Sequence, residues 1–93
     1  MKYLIKLTKE AESNLEGIFF FIAQNSKSIA HRYLDQLKAQ IKRLETEPQL
    51  GEPYTRERRR LLHTSHYIYY RINEKMKVIQ VITIRHTAKK LLK

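Results

Sequence analysis

The 93-residue sequence contains no cysteine. Without thiols it has no disulfide framework, no thiol nucleophile and no thiolate metal site. Glycine and proline number two each, so the chain has few built-in breaks. Three of the four fall in one segment, Pro48, Gly51 and Pro53, which reads as a loop of about ten residues. No apolar run reaches the roughly 18 residues that a bilayer span requires. The opening MKYLIKLTKE sets lysines among its apolar residues and lacks the continuous apolar stretch of a signal peptide. A cytoplasmic protein without a membrane partner is the expectation. Acids are scarce as well, nine against nineteen Lys and Arg, for a formal charge of +10. So large an excess on a small body costs self-repulsion and favours an anionic partner, whether nucleic acid, ribosome or acidic protein.

The hydrophobic fraction of 42% is that of a folded domain. The length allows one compact core, so residues 1–93 are expected to form a single domain. Residues 2–7 alternate, with Tyr3, Ile5 and Leu7 on one side, and predict a short strand. Thr8 is placed to cap a following helix, with Glu10 and Glu12 near its positive end. Ala11, Leu15, Ile18, Phe19 and Ile22 recur at helical spacing and predict a helix over about 9–24. Ala30, Tyr33, Leu34, Leu37, Ile41 and Leu44 mark a second helix from about Ser28 to Glu45 or Thr46. A very short connection at Asn25-Ser26 makes an antiparallel hairpin of the two.

Beyond the loop the pattern turns to period two. The segments Arg60–His63, Tyr67–Ile72 and Lys77–Arg85 are separated by Thr64-Ser65 and by Asn73-Glu74-Lys75, which predicts a three-strand antiparallel meander. The first strand must join this sheet to satisfy its backbone groups. The predicted fold is α+β, in the order β-α-α-β-β-β, with an antiparallel-dominated sheet and the helical hairpin packed on one face.

Arg56, Arg58, Arg59 and Arg60 form the densest charge cluster, offset locally only by Glu57. Arginine forks hold phosphate or carboxylate in two-pronged fashion at any physiological pH. Alternation sends Arg58 and Arg60 to one face of a strand and Arg59 to the other. Arg71, Arg85, Lys89 and Lys90 extend the basic set toward the carboxyl end. His86 is the best candidate for acid–base work, because imidazole titrates near neutral pH. His63 and His66 flank a turn, where a solvated role is expected. Tyr67 and Tyr69 share one strand face, opposite Ile68 and Tyr70; one pair is core and the other offers a stacking surface. The run Phe19-Phe20-Phe21-Ile22 is wider than one helical stripe can bury, so Phe20 or Phe21 is expected to meet a partner. Four histidines and nine acids show no metal-ligand spacing. Glu45, Glu47, Glu52 and Glu57 are the carboxylates nearest the basic cluster.

Taken in order, several segments carry a resemblance. They are Tyr3-x-Ile-x-Leu, Ala11 with Leu15, Ile18 and Ile22, then Ala30-x-x-Tyr33-x-x-x-Leu37-x-x-x-Ile41-x-x-Leu44. The loop Pro48-x-x-Gly51-x-Pro53, Arg60-Leu61, Tyr67-Ile68-Tyr69-Tyr70 and the closing Ile84-Arg85-His86 complete the set. Together they resemble the RelE/ParE superfamily of bacterial toxins, which includes plasmid stabilisation proteins. The resemblance implies the toxin of a type II toxin-antitoxin system, neutralised by a cognate acidic antitoxin; Phe20 and Phe21 are the candidate antitoxin contacts, with a second toxin copy as the other partner. It implies operator DNA as a partner through the antitoxin complex, and no cofactor. Two activities come with the family: inhibition of DNA gyrase, and ribosome-dependent cleavage of mRNA with His86 and Arg60 as the catalytic pair; the alternative to both is a non-catalytic, nucleic-acid-binding relic of such a toxin. Ribosome-dependent members carry an arginine shortly before the third-strand aromatic, where this chain has Tyr67. That departure places the chain closer to the ParE-like, gyrase-directed branch. Arg56, Arg58, Arg59, Tyr67, Arg71, Arg85, Lys89 and Lys90 are then the expected contacts to nucleic acid or target.

Overall fold

The structure, a computed structural model, describes residues 2–87. Its elements are β1 (Leu4–Leu7), α1 (Lys9–Ala23), α2 (Lys27–Arg43), β2 (Glu52–Pro53), β3 (Arg58–His63), β4 (His66–Asn73) and β5 (Val78–His86). Two helices pack on a five-stranded mixed sheet of order β1-β5-β4-β3-β2. Strands β3, β4 and β5 form the antiparallel meander, and β1 joins β5 in parallel. The expected element order holds, with one addition. The loop after α2 contains β2, whose two residues pair with β3 at Arg59 and Arg60. Two residues, one of them a proline that cannot donate to the ladder, leave no periodic signal to read.

The helix boundaries follow their caps. Thr8 Oγ1 accepts from the Ala11 amide and donates to the Ile82 carbonyl, so one side chain starts α1 and ties it to β5. Ser26 Oγ accepts from Ile29 N and starts α2. The core lies between the helices and one sheet face. Leu34, Leu37, Ile41 and Leu44 pack there with Ala11, Leu15, Leu61, Ile68, Tyr70, Ile79, Val81 and Ile84. Each large side chain so buried contributes about 1.5–3 kcal/mol.

Two irregularities shape the sheet. First, β1 is short and pairs only with Val78–Val81, which leaves the far end of β5 without a strand on that edge. Helix α1 takes over there: Asn14 Oδ1 accepts from the Ile84 amide, and the single Thr83 hydroxyl proton is shared between Asn14 Oδ1 and Glu10 Oε2. Second, β5 carries a bulge opposite Tyr69 and Tyr70, where Tyr69 pairs with Thr83 and Tyr70 with Val81. The extra residue shifts the alternation by one. Arg85, which strict alternation from Ile79 puts on the core side, pairs with Tyr67 instead.

Candidate functional site

The sheet face turned away from the helices is where the basic cluster emerges. Arg58 pairs with Arg71, Arg60 with Tyr69, and Leu62 with Tyr67 across β3 and β4. Arg58, Leu62 and Arg71 are exposed. This register resolves the two tyrosine pairs. Ile68 and Tyr70 belong to the core, while Tyr67 and Tyr69 line the open face. An open depression of about 390 Å³ lies on that face, lined by Tyr54, Arg58, Tyr67, Tyr69, Thr83 and Arg85, with His86 and Thr87 at its end. Among the described residues no acid lines it.

Arg60 sits at the edge of this depression in an occupied state. Its guanidinium lies 4.3 Å from the Tyr67 ring centroid and 5.0 Å from that of Tyr54. Its Nε donates to Glu52 Oε2 at 2.9 Å. That hydrogen bond, followed by one to Tyr69, holds the arginine more firmly protonated. The rings of Tyr54 and Tyr69 meet edge-on at 5.0 Å, and those of Tyr67 and Tyr69 lie 5.9 Å apart. The result is an aromatic platform built around one neutralised cation. Tyr54 and Glu52 both come from the loop segment; Glu52 is one of the four carboxylates that the sequence places nearest the basic cluster, whereas Tyr54 was not singled out. The only signal for Tyr54 was proximity in sequence to the arginine run.

Arg59 points the other way, as alternation predicts, and its partners are carbonyls. Nη1 donates to Gly51 O and reaches Gln49 O at 3.5 Å. Tyr70 works beside it. The hydroxyl donates to Pro48 O at 2.7 Å and accepts from Gly51 N at 2.9 Å. Burial pushes its phenol pKa up, so the group stays a neutral donor. A Cβ on Gly51 would lie 2.7 Å from Arg60 O and 2.8 Å from the Tyr70 hydroxyl, so only glycine fits this crossing. These contacts fix the loop that carries Glu52 and Tyr54.

The three histidines gather at one end of the sheet. The expectation of solvated turn histidines fails for His66, which is only 7% exposed. Its Nδ1 lies 2.7 Å from the Tyr33 hydroxyl of α2, and its ring stands edge-on to His86 at 4.9 Å. Burial first, then the neighbouring His86 and His63, lower its pKa to about 4. The His63 ring lies 5.6 Å from Tyr33, and its buried Nε2 has no hydrogen-bond partner among the described residues. Register was the missing signal: His63 pairs with His66, and His66 with His86, so three strands deliver one histidine each. The group does not form a metal centre; among the described residues no three His, Asp or Glu side chains could hold an ion.

The remaining candidates scatter. Arg56 is exposed in the loop before β3. Arg71 lies 3.9 Å from Glu57 across two exposed side chains, a weak pair. Phe20 and Phe21 are 65% and 72% exposed on α1, while Phe19 packs edge-on against His31. Lys89 and Lys90 lie outside the described residues. No described helix is long and apolar enough to cross a membrane.

Residues 5–91 match the family model described as the ParE toxin of the type II toxin-antitoxin system, parDE. Among solved structures, a chain of the chromosomal ParDE toxin-antitoxin system from P. aeruginosa is 21% identical with a TM-score of 0.78. The match covers 91% of this chain and 96% of that one. A chain of the toxin-antitoxin complex RelBE2 from Mycobacterium tuberculosis is 18% identical with a TM-score of 0.74, covering 92% of each chain. A mutant of the E. coli toxin RelE in the free state is 16% identical with a TM-score of 0.64, covering 97% of this chain and 87% of that one. At these identities the structural likeness speaks for the fold. No curated protein sequence matches the chain.

Proposed function

Since the chain belongs to the ParE toxin family of type II toxin-antitoxin systems, we propose that it arrests growth by inhibiting DNA gyrase, with the open sheet face as its working surface. One observation favours this reading over RNA cleavage: the two side chains expected as the catalytic pair are both engaged within the chain. RNA cleavage calls for an acid–base group and a free cation on the same phosphate. Here the ring of His86 packs against His66, which is anchored to α2 through Tyr33. Arg60 is already paired with Glu52. What the open face offers is a rigid aromatic surface with exposed arginines, suited to binding.

Neutralisation follows from charge. A chain of formal charge +10 is matched by an acidic antitoxin in the cytoplasm. The exposed rings of Phe20 and Phe21 are its apolar contacts, and operator DNA is reached through the complex. Three assays on the purified toxin separate the targets. Gyrase supercoiling should fall with toxin concentration, with accumulation of cleaved plasmid, and the added antitoxin should reverse it. A reconstituted translation reaction should yield no cuts in mRNA codons. Codon-specific cuts without any effect on gyrase would replace this reading with a ribosome-dependent nuclease. Absence of growth arrest on expression without antitoxin would remove both.

A further inference from the structure

The outer face of α1 carries residues that the single chain does not use. Ala11, Leu15, Ile18 and Phe19 turn to the core, which leaves Ser13, Gly17, Phe20, Phe21 and Gln24 exposed at helical spacing. Phe20 meets Phe19 edge-on at 5.6 Å, yet it and Phe21 keep 65% and 72% of their surface in solvent. Gly17 stands one turn before the two rings and between their directions. A Cβ there would meet nothing within 4 Å, and no glycine of the chain has a positive φ. Neither crowding nor backbone conformation therefore calls for glycine, although glycine inside a helix is destabilising against alanine.

Charge is divided along the same helix. Its first half carries Lys9, Glu10, Glu12 and Glu16, all exposed. From Gly17 to Leu34 there is no acid, and Lys27 and Arg32 are exposed there. A uniformly anionic partner, whether an acidic peptide or a lipid surface, suits the second half and is repelled by the acids of the first. A second copy of the chain suits both. Turned antiparallel about Gly17, each α1 sets its acid-bearing half against the acid-free half of the other, the self-complementary arrangement that a two-fold axis requires. With no side chain at the crossing the two backbones approach closely. Ser13, one turn earlier, is short enough to leave room for a ring of the other copy.

We propose that the toxin free of antitoxin pairs as a two-fold dimer through α1, the helices crossing antiparallel at Gly17 with Phe20 and Phe21 of each copy covering the first half of the other. The dimer does not depend on gyrase as the target. It uses the rings already assigned to the antitoxin, so antitoxin binding separates the two copies. One fifteen-residue helix against its copy falls below the roughly 1,200 Å² of a standard interface, and two bodies of formal charge +10 repel. The dimer is therefore weak, with a dissociation constant on the order of 10–100 µM.

Sedimentation equilibrium of the purified toxin from about 5 to about 500 µM, at about 0.15 M salt, reads the association directly. Gly17→Ala should act with opposite signs in two measurements. The Tm of the dilute protein should rise by about 4–8 °C, while dimerisation weakens about fivefold. Gly17→Leu should leave no dimer at about 500 µM. Phe20→Ala with Phe21→Ala should weaken the dimer at least about tenfold, whereas Met76→Ala, at an apolar side chain 67% exposed elsewhere, should change it less than about twofold. Lys27→Glu lowers the net charge and the general repulsion, yet should weaken the dimer about threefold by setting an acid against the acids of the other copy. The chain has no tryptophan, so Phe21→Trp is a single reporter whose emission should move to the blue as the protein is concentrated. A blue shift with phosphatidylglycerol vesicles but none with concentration would give the face to a lipid surface and overturn the dimer. A monomer at the highest concentration, a dimer indifferent to Gly17→Leu, or tightening by Lys27→Glu would overturn it as well. Antitoxin that binds without separating the copies supports the dimer and moves the antitoxin contact away from Phe20 and Phe21, so the two readings fail separately.

Discussion

Replacing Tyr70 by phenylalanine removes one oxygen atom from the centre of the protein, and the cost can be worked from its two partners. The ring is fully buried, and its volume is kept by the substitution. The hydroxyl accepts from the Gly51 amide at 2.9 Å and donates to the Pro48 carbonyl at 2.7 Å. Gly51 is itself buried, so its amide has no direct access to water when the oxygen goes. Leaving a buried polar group unpaired costs about 1–3 kcal/mol. Pro48 is half-buried and regains part of its loss from solvent. A total near 2 kcal/mol follows, which in a domain of this size lowers Tm by roughly 8–16 °C. Thermal and urea unfolding followed by circular dichroism measure it, and native-state hydrogen exchange locates it. The Gly51 amide should exchange faster in the variant by more than the global destabilisation explains, because Arg59 still holds the Gly51 carbonyl while the amide side is released. A loss below about 0.5 kcal/mol, or an unchanged Gly51 exchange rate relative to the β4 amides, would refute the account of Tyr70 as the pin of the loop.

Other outcomes follow from the same contacts. His66 has a folded pKa lowered from 6.5 to about 4, so the unfolded chain binds the extra proton. Its contribution is complete above about pH 6.5 and is lost as pH falls toward 4, with a full value of about 3 kcal/mol, reduced by residual solvent access to about 1–2. Urea midpoints between pH 7 and pH 4.5 should fall more steeply for wild type than for His66→Gln. Gly51→Ala should cost at least about 2 kcal/mol in urea unfolding, since the new methyl meets backbone of β3 rather than a flexible side chain. Thr64 has φ of 54° in the β3–β4 turn, which a β-branched residue adopts at a cost, so Thr64→Gly should raise stability by about 0.5–1 kcal/mol and Tm by several degrees. Phe20→Ala with Phe21→Ala should leave Tm within about 2 °C, because both rings are exposed, while weakening antitoxin binding at least about tenfold by calorimetry.

The sequence alone determined the element order, the two capped helices and the meander, because these rest on local signals: the 3.6 and 2.0 periods, Thr8, and the turn pairs. It also separated Arg59 from Arg58 and Arg60, since alternation within one strand needs no partner. Tertiary structure decided the rest. Whether Tyr67 and Tyr69 or Ile68 and Tyr70 face the helices depends on which side the hairpin lies, a long-range fact. The bulge in β5 moves Arg85 to the open face, against the strict alternation that sequence reading assumes. The arginine run looked uniform as a sequence, yet the fold sets its members apart. Arg59 holds a loop, Arg60 meets a carboxylate, and Arg58 stays exposed. Those assignments required β2, two residues long, to bring Glu52 beside Arg60, and pairing across eight positions leaves no periodicity to read. The basic charge that implied an anionic partner was thus legible from composition, whereas the guanidinium groups free to meet it were set by register, where a shift of one residue exchanges the two faces.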